Sequence, residues 1–171
     1  MSADAVMPVS VVIERRKSSH PWQDHTWRPI GILPRAAPER WKMLAEGDGW
    51  AHFQAGTLKL ELFRGETEGY LVNLSQVPPV VYVVLRRGEE ADENEVEPFH
   101  ATVCPYEAMG YVEGGDDVVE GVPMPPEVRA WVGEFVERYH VDTPFIKRKN
   151  RRIGDAESES GPRGRDWRRP S

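Results

Sequence analysis

A single cysteine, Cys104, leaves this 171-residue chain without any intrachain disulfide. That suits a reducing compartment. Residues 1–20 contain no glycine, so no glycine-rich phosphate loop can open the fold. The longest apolar run, Val80 to Leu85, is far too short to span a bilayer. No Lys or Arg precedes the short apolar stretch at the N-terminus, which argues against a secretory signal. No internal repeat and no alternating strand–helix pattern is visible. These absences lead to an expectation of a cytoplasmic protein without membrane insertion and without a doubly wound nucleotide-binding fold.

What is present reads as strands first and helices later. Met7, Val9, Val11 and Ile13 alternate with mostly polar neighbours, the pattern of a half-buried strand. It runs into Glu14-Arg-Arg-Lys17, read as a solvated strand end. Trp27 to Leu33 is extended, and Pro29 suggests an edge strand. Trp41–Glu46 and Trp50–Ala55 flank Gly47-Asp48-Gly49, a strong hairpin signal because glycine enters positive φ freely. Leu58, Leu60 and Leu62 alternate with Lys59 and Glu61. Tyr70, Val72 and Leu74 are read as the returning strand. Val80–Leu85, apolar on both faces, is expected to be a central strand covered on one side by helix. Val96 to Val103 is the last long strand.

Cys104-Pro-Tyr-Glu107 looks like a helix start, with Pro105 at the first helical position and Glu107 placed for a capping box. Gly114-Gly115 should end that helix, and Val118–Val122 should form a short strand. Pro125-Pro-Glu127 opens a longer helix. Val128, Trp131, Val132, Phe135, Val136 and Tyr139 fall on one stripe. The expected class is α+β: a mainly antiparallel sheet, as a meander or partial barrel, with a short helix and an amphipathic C-terminal helix packed on it. The expected organisation is a flexible N-terminus over 1–6, one β-rich domain over 7–146 and a disordered basic tail over 147–171.

Chemistry-bearing side chains are densest in His20-Pro-Trp-Gln-Asp-His-Thr-Trp-Arg-Pro29. His20, Trp22, Asp24, His25, Trp27 and Arg28 are the candidate ligand- or partner-binding residues. Trp22 and Trp27 with Arg15, Arg16, Lys17 and Arg28 could stack a planar ring and hold an anion. The competing reading makes one or both tryptophans core anchors. His20, Asp24, His25, His52, His100, Cys104 and His140 could ligate metal, but their spacing matches no compact zinc pattern. No metal site and no catalytic residue is therefore assigned. Cys104 at a helix start could be an activated thiol, or simply a small capping residue. Gly110 and Gly114-Gly115 read better as a helix end than as a phosphate loop, because Asp116 and Asp117 follow.

The net charge of −6 conceals a division. From Lys147 onward there are nine basic and four acidic residues; the remainder holds thirteen basic and twenty-four acidic. Lys147, Arg148, Lys149, Arg151 and Arg152 form a dense cationic cluster able to attract nucleic acid, anionic lipid or an acidic partner. The acidic body should repel nucleic acid.

Three stretches carry a family resemblance. They are Glu14-Arg-Arg with His20-Pro-Trp and Trp27-Arg-Pro; Tyr70 through Arg86; and Pro144-Phe-Ile-Lys-Arg-Lys149. From about Pro8 to Arg152 the chain resembles an uncharacterised proteobacterial domain-of-unknown-function family. Its members are often encoded near formate dehydrogenase genes and often labelled molybdopterin-guanine dinucleotide biosynthesis protein A. The resemblance implies a non-catalytic accessory protein in formate dehydrogenase or molybdenum-cofactor enzyme maturation. A formate dehydrogenase subunit or maturation factor is then the expected partner, and a molybdopterin-type ligand is possible. It carries over no catalytic residue. The alternatives are a nucleotidyl-transfer enzyme of molybdenum-cofactor synthesis and a nucleic-acid-associated protein acting through the tail. Guanylyltransferases of that pathway begin with a glycine-rich loop, which residues 1–20 lack.

Overall fold

The computed structural model describes residues 2–22, 24–88 and 95–141. Residues 1–140 make up the first compact unit of the chain. Every strand and helix among the described residues lies in the first unit. Lys147, Arg148, Lys149, Arg151 and Arg152, with the rest of the basic tail, lie outside the described residues.

The architecture is α+β with antiparallel pairing throughout. β1 (Ala5–Lys17), β2 (His25–Leu33), β3 (Lys42–Gly47) and β4 (Trp50–Leu62) form one sheet in the order β2-β1-β4-β3. β5 (Val80–Arg87), β6 (Val96–Thr102) and β7 (Val118–Pro123) form a second in the order β6-β5-β7. Both sheets are open. Helices α1 (Thr67–Leu74), α2 (Pro105–Gly114) and α3 (Pro126–Tyr139) complete the unit. Among the described residues, no helix is long and apolar enough to cross a membrane.

β1 holds the first sheet together, paired with β2 on one side and β4 on the other. Its alternation buries Val9, Val11 and Ile13 completely. These side chains share one core with Leu60 and Leu62 of β4, Val81, Val83 and Leu85 of β5, and Val128, Val132 and Phe135 of α3. The amphipathic stripe of α3 thus seals the core, as its spacing predicts. β5 is the centre of its sheet, and its other face buries Val84 outside that core. Such burial on both faces explains the unbroken apolar run. β2 is an edge strand, consistent with Pro29. Gly56 does not break the chain. It lies inside β4 beside a bulge, where the register with β1 shifts between Val11 and Val12.

Three local expectations need correction. Tyr70–Leu74 is helical: Thr67, Gly69, Tyr70 and Asn73 are buried, while Leu71 and Val72 are exposed. The alternation of Tyr70, Val72 and Leu74 imitates a strand, but burial follows the helical spacing i, i+3. Asn73 shows how a polar residue can sit at zero exposure. Its Nδ2 donates to the carbonyls of Val80 (2.7 Å) and Val103 (2.8 Å), and its Oδ1 accepts from the Val80 amide (3.0 Å). Glu107 forms no capping box; its carboxylate lies 3.1 Å from His100 Nε2. Trp41 precedes β3 rather than opening it and adopts φ 53°, a left-handed backbone unusual for a bulky residue. Edge-on packing against Trp27 and Phe53, at 5.8 and 5.7 Å between ring centroids, holds it there.

Candidate functional site

The residues His20 to Arg28 do not converge on one point. Residues 18–24 form a loop closed at its base by the Ser18 amide donating to the Asp24 carbonyl (3.0 Å). The His20 amide donates to Ser18 Oγ (3.0 Å). On this loop Trp22 is 80% exposed, and its ring stacks on His20 at 5.0 Å and 24°. β2 then begins at His25, and the period-two geometry of a strand sends Trp27 and Arg28 to opposite faces. Trp27 joins the core, and its Nε1 donates to Glu95 Oε1 at 2.9 Å. The anchor reading therefore holds for Trp27, while Trp22 stands free in solvent.

Arg28 belongs to a cluster centred on Glu14, which the sequence suggests only as part of a solvated strand end. Strand register places Arg28 and His52 on either side of Glu14. Glu14 is buried, and its Oε1 accepts from Arg16 Nε (3.2 Å) and Arg28 Nε (3.4 Å). Its Oε2 accepts from an Arg16 Nη (3.2 Å) and lies 3.0 Å from His52 Nε2. The Arg16 and His52 contacts outweigh burial and hold the Glu14 carboxyl down to about 2. The spacing of Glu14 and Arg16 hints at a shared face. The contributions of β2 and β4 cannot be read without the register.

Where the ends of β1 and the β3–β4 hairpin meet this loop, an open cavity of about 400 Å³ forms. Arg15, Lys17, Asp24, His25, Glu46 and Trp50 line it. Arg15 also lies over the Phe53 ring at 5.1 Å. Of the six candidates, Asp24 and His25 line this cavity, and His20 and Trp22 stand on the loop that ends at Asp24. Trp27 and Arg28 are directed elsewhere.

The family described as "Protein of unknown function (DUF3305)" matches residues 8–149. The chain belongs to that family. Neither the curated proteins nor the solved structures contain a match to it.

The matched span of this DUF3305 chain contains β2 to α3 whole, and with them the His20 loop and the Glu14 cluster. Among the described residues, no group of three or more His, Cys, Asp or Glu is placed to hold a metal ion. His52 is engaged by Glu14 in the first sheet, and His100 by Glu107 beside the second. Cys104 stands at the N-cap position of α2 without a side-chain capping bond; it is buried, and burial pushes its thiol up rather than down. That burial and that shift both disfavour the thiolate a nucleophile requires. Gly115, with φ 81°, ends α2 in the left-handed region, which confirms the helix-end reading. A second cavity, of about 470 Å³, is lined by Arg86, Tyr111, Gly114, Asp116 and Asp117 among others. There Asp117 accepts from Arg86 Nε and one Arg86 Nη at 3.0 Å each, so these two charges neutralise one another.

Proposed function

We propose that this DUF3305 chain is a non-catalytic binding protein that recognises a partner polypeptide at the His20–His25 loop and the cavity beside it. The observation that carries this reading is Trp22. Trp27, Trp41, Trp50 and Trp131 are buried or half-buried, whereas Trp22 is left in water, stacked on His20. An indole ring and an imidazole held face to face are a compact apolar anchor with polar edges, the kind of group that dominates protein interfaces. A polypeptide is favoured over a pterin-type cofactor by charge. Asp24 and Glu46 offset Arg15 and Lys17 in the cavity, leaving no excess of positive charge for a phosphate.

The family resemblance supplies the identity of the partner in this proposal: a subunit or maturation factor of formate dehydrogenase. The test is affinity purification of the tagged full chain from cells producing formate dehydrogenase, beside the Trp22→Ala variant. Wild type should retain a subunit or maturation factor, and the variant should lose it at least tenfold, a deficit of about 1.4 kcal/mol. A deletion strain should lose formate dehydrogenase activity. Equal retention by both proteins would remove the loop from the interface, and full activity in the deletion strain would remove the enzyme from the function.

A further inference from the structure

Helix α2 is attached to the fold by very little. Of its ten residues only Ala108 is buried. Tyr106, Met109 and Val112 are 62, 55 and 51% exposed. They recur every third residue, so they lie along one side of the helix. α3 shows the opposite design. It buries Val128, Val132, Phe135 and Val136 and gives solvent Glu127, Arg129, Glu134, Glu137 and Arg138. A short helix that points a tyrosine, a methionine and a valine outward has its apolar side in water, and adaptable methionine is favoured at surfaces that accept helical partners.

The charge beside this face is mainly acidic: α2 carries no Lys or Arg, and Arg86 and Arg87 line the cavity on its Gly110, Tyr111 and Gly114 side, where Asp117 holds Arg86. Residues 88–128 contain no Lys or Arg and twelve Asp or Glu, and residues 65–85 contain no Lys or Arg either. Glu113 follows Val112 on α2. Glu68 precedes Gly69, whose backbone packs against the Tyr106 ring and the Cys104 thiol. Neither Glu68 nor Glu113 has an ion-pair partner among the described residues.

We propose that the outward face of α2 docks a cationic amphipathic segment of a partner polypeptide. Its apolar side chains would cover Tyr106, Met109 and Val112, and its Lys or Arg residues would meet Glu113 and Glu68. This surface belongs to the second sheet and does not depend on the His20 loop. An apolar helix face fixes the seat, and the carboxylates of Glu68 and Glu113 select the sign of the partner.

The test uses the full chain and a fluorescent synthetic helix of Leu and Lys at amphipathic spacing, followed by anisotropy. A Leu and Glu helix of the same pattern is the control. Met109→Gln with Val112→Gln removes apolar surface without altering charge, and both positions are exposed, so the fold should be kept. The cationic peptide should bind the wild type and weaken about tenfold on the double variant, near 1.4 kcal/mol. The acidic peptide should not bind. Equal binding by wild type and variant would show general electrostatic attraction and overturn the proposal, as would binding of the acidic peptide. Self-association of the chain in sedimentation, abolished by the same substitutions, would also overturn it by giving the face to a second copy. Met109→Gln alone, read the same way, decides the matter if the double variant does not fold.

Discussion

Replacing Glu14 by Gln keeps the shape of the side chain and removes the charge that gathers Arg16, Arg28 and His52. The carboxyl stands at about 2 in the folded chain against an ordinary 4.5. That difference corresponds to at most about 3 kcal/mol. Arg16 and Arg28 have side chains 58% exposed, and solvent screening reduces the figure to about 1–2 kcal/mol. A carboxyl lowered by folding stabilises the native state fully above its unfolded value and ceases to do so as pH falls through its folded value. The contribution should therefore be complete at neutral pH and fade between 4.5 and about 2. Urea denaturation of wild type and Glu14→Gln across this range measures it. At neutral pH the variant should be less stable by about 1–2 kcal/mol, with two guanidinium groups left side by side. Toward the acid end the two proteins should converge, because protonated Glu14 and Gln carry the same charge. A gap that stays constant with pH would refute the electrostatic account of this cluster.

Other substitutions probe the remaining supports. Asn73→Leu should cost at least about 3 kcal/mol, since it strands the carbonyls of Val80 and Val103 and the Val80 amide in the interior; a loss below about 1 kcal/mol in urea would contradict the clamp. Trp27→Ala should cost about 3–5 kcal/mol, whereas Trp22→Ala should change stability by about 0.5 kcal/mol or less. Equal effects in calorimetry would show that the two rings are not divided between core and surface. Cys104, buried and with its thiol pushed up, should react with iodoacetamide at mildly alkaline pH only as fast as the native chain opens. Rapid labelling of the folded protein would count against that burial.

Much of the backbone is legible in the sequence because single-segment patterns decide it. The alternation of Val9, Val11 and Ile13, the two-sided run of β5 and the stripe of α3 each report burial on one element without knowledge of its neighbours. α1 escapes such reading because Tyr70, Val72 and Leu74 fit a strand period over a stretch too short to exclude it, and its buried polar residue, Asn73, breaks the apolar signal of a helix. The site is legible only in part. Trp22 and Trp27 look alike in sequence, and what separates them is that β2 begins at His25, which places Trp27 on the core side. The Glu14 cluster unites residues 14, 28 and 52, and cross-strand register alone brings those together. The unpartnered side of α2 is invisible in sequence because Tyr, Met and Val in a short helix look like core until the helix is seen to bury only Ala108.

The position of β1 between β2 and β4 has a consequence for how the chain finds its structure. β1 and β2 form a hairpin, in which Lys17 meets His25 after a short loop. The other side of β1 must wait for β4, where Arg16 meets Trp50 and Ala5 meets Leu62. Such distant pairing raises the contact order, and the entropy of closing the intervening chain slows the step. Until β4 arrives, the β1–β2 hairpin offers an open ladder edge with Val9, Val11 and Ile13 uncovered. Closing that edge is therefore the event on which commitment of the first sheet to its native topology turns, and substitutions along β4 should slow folding more than those in β2.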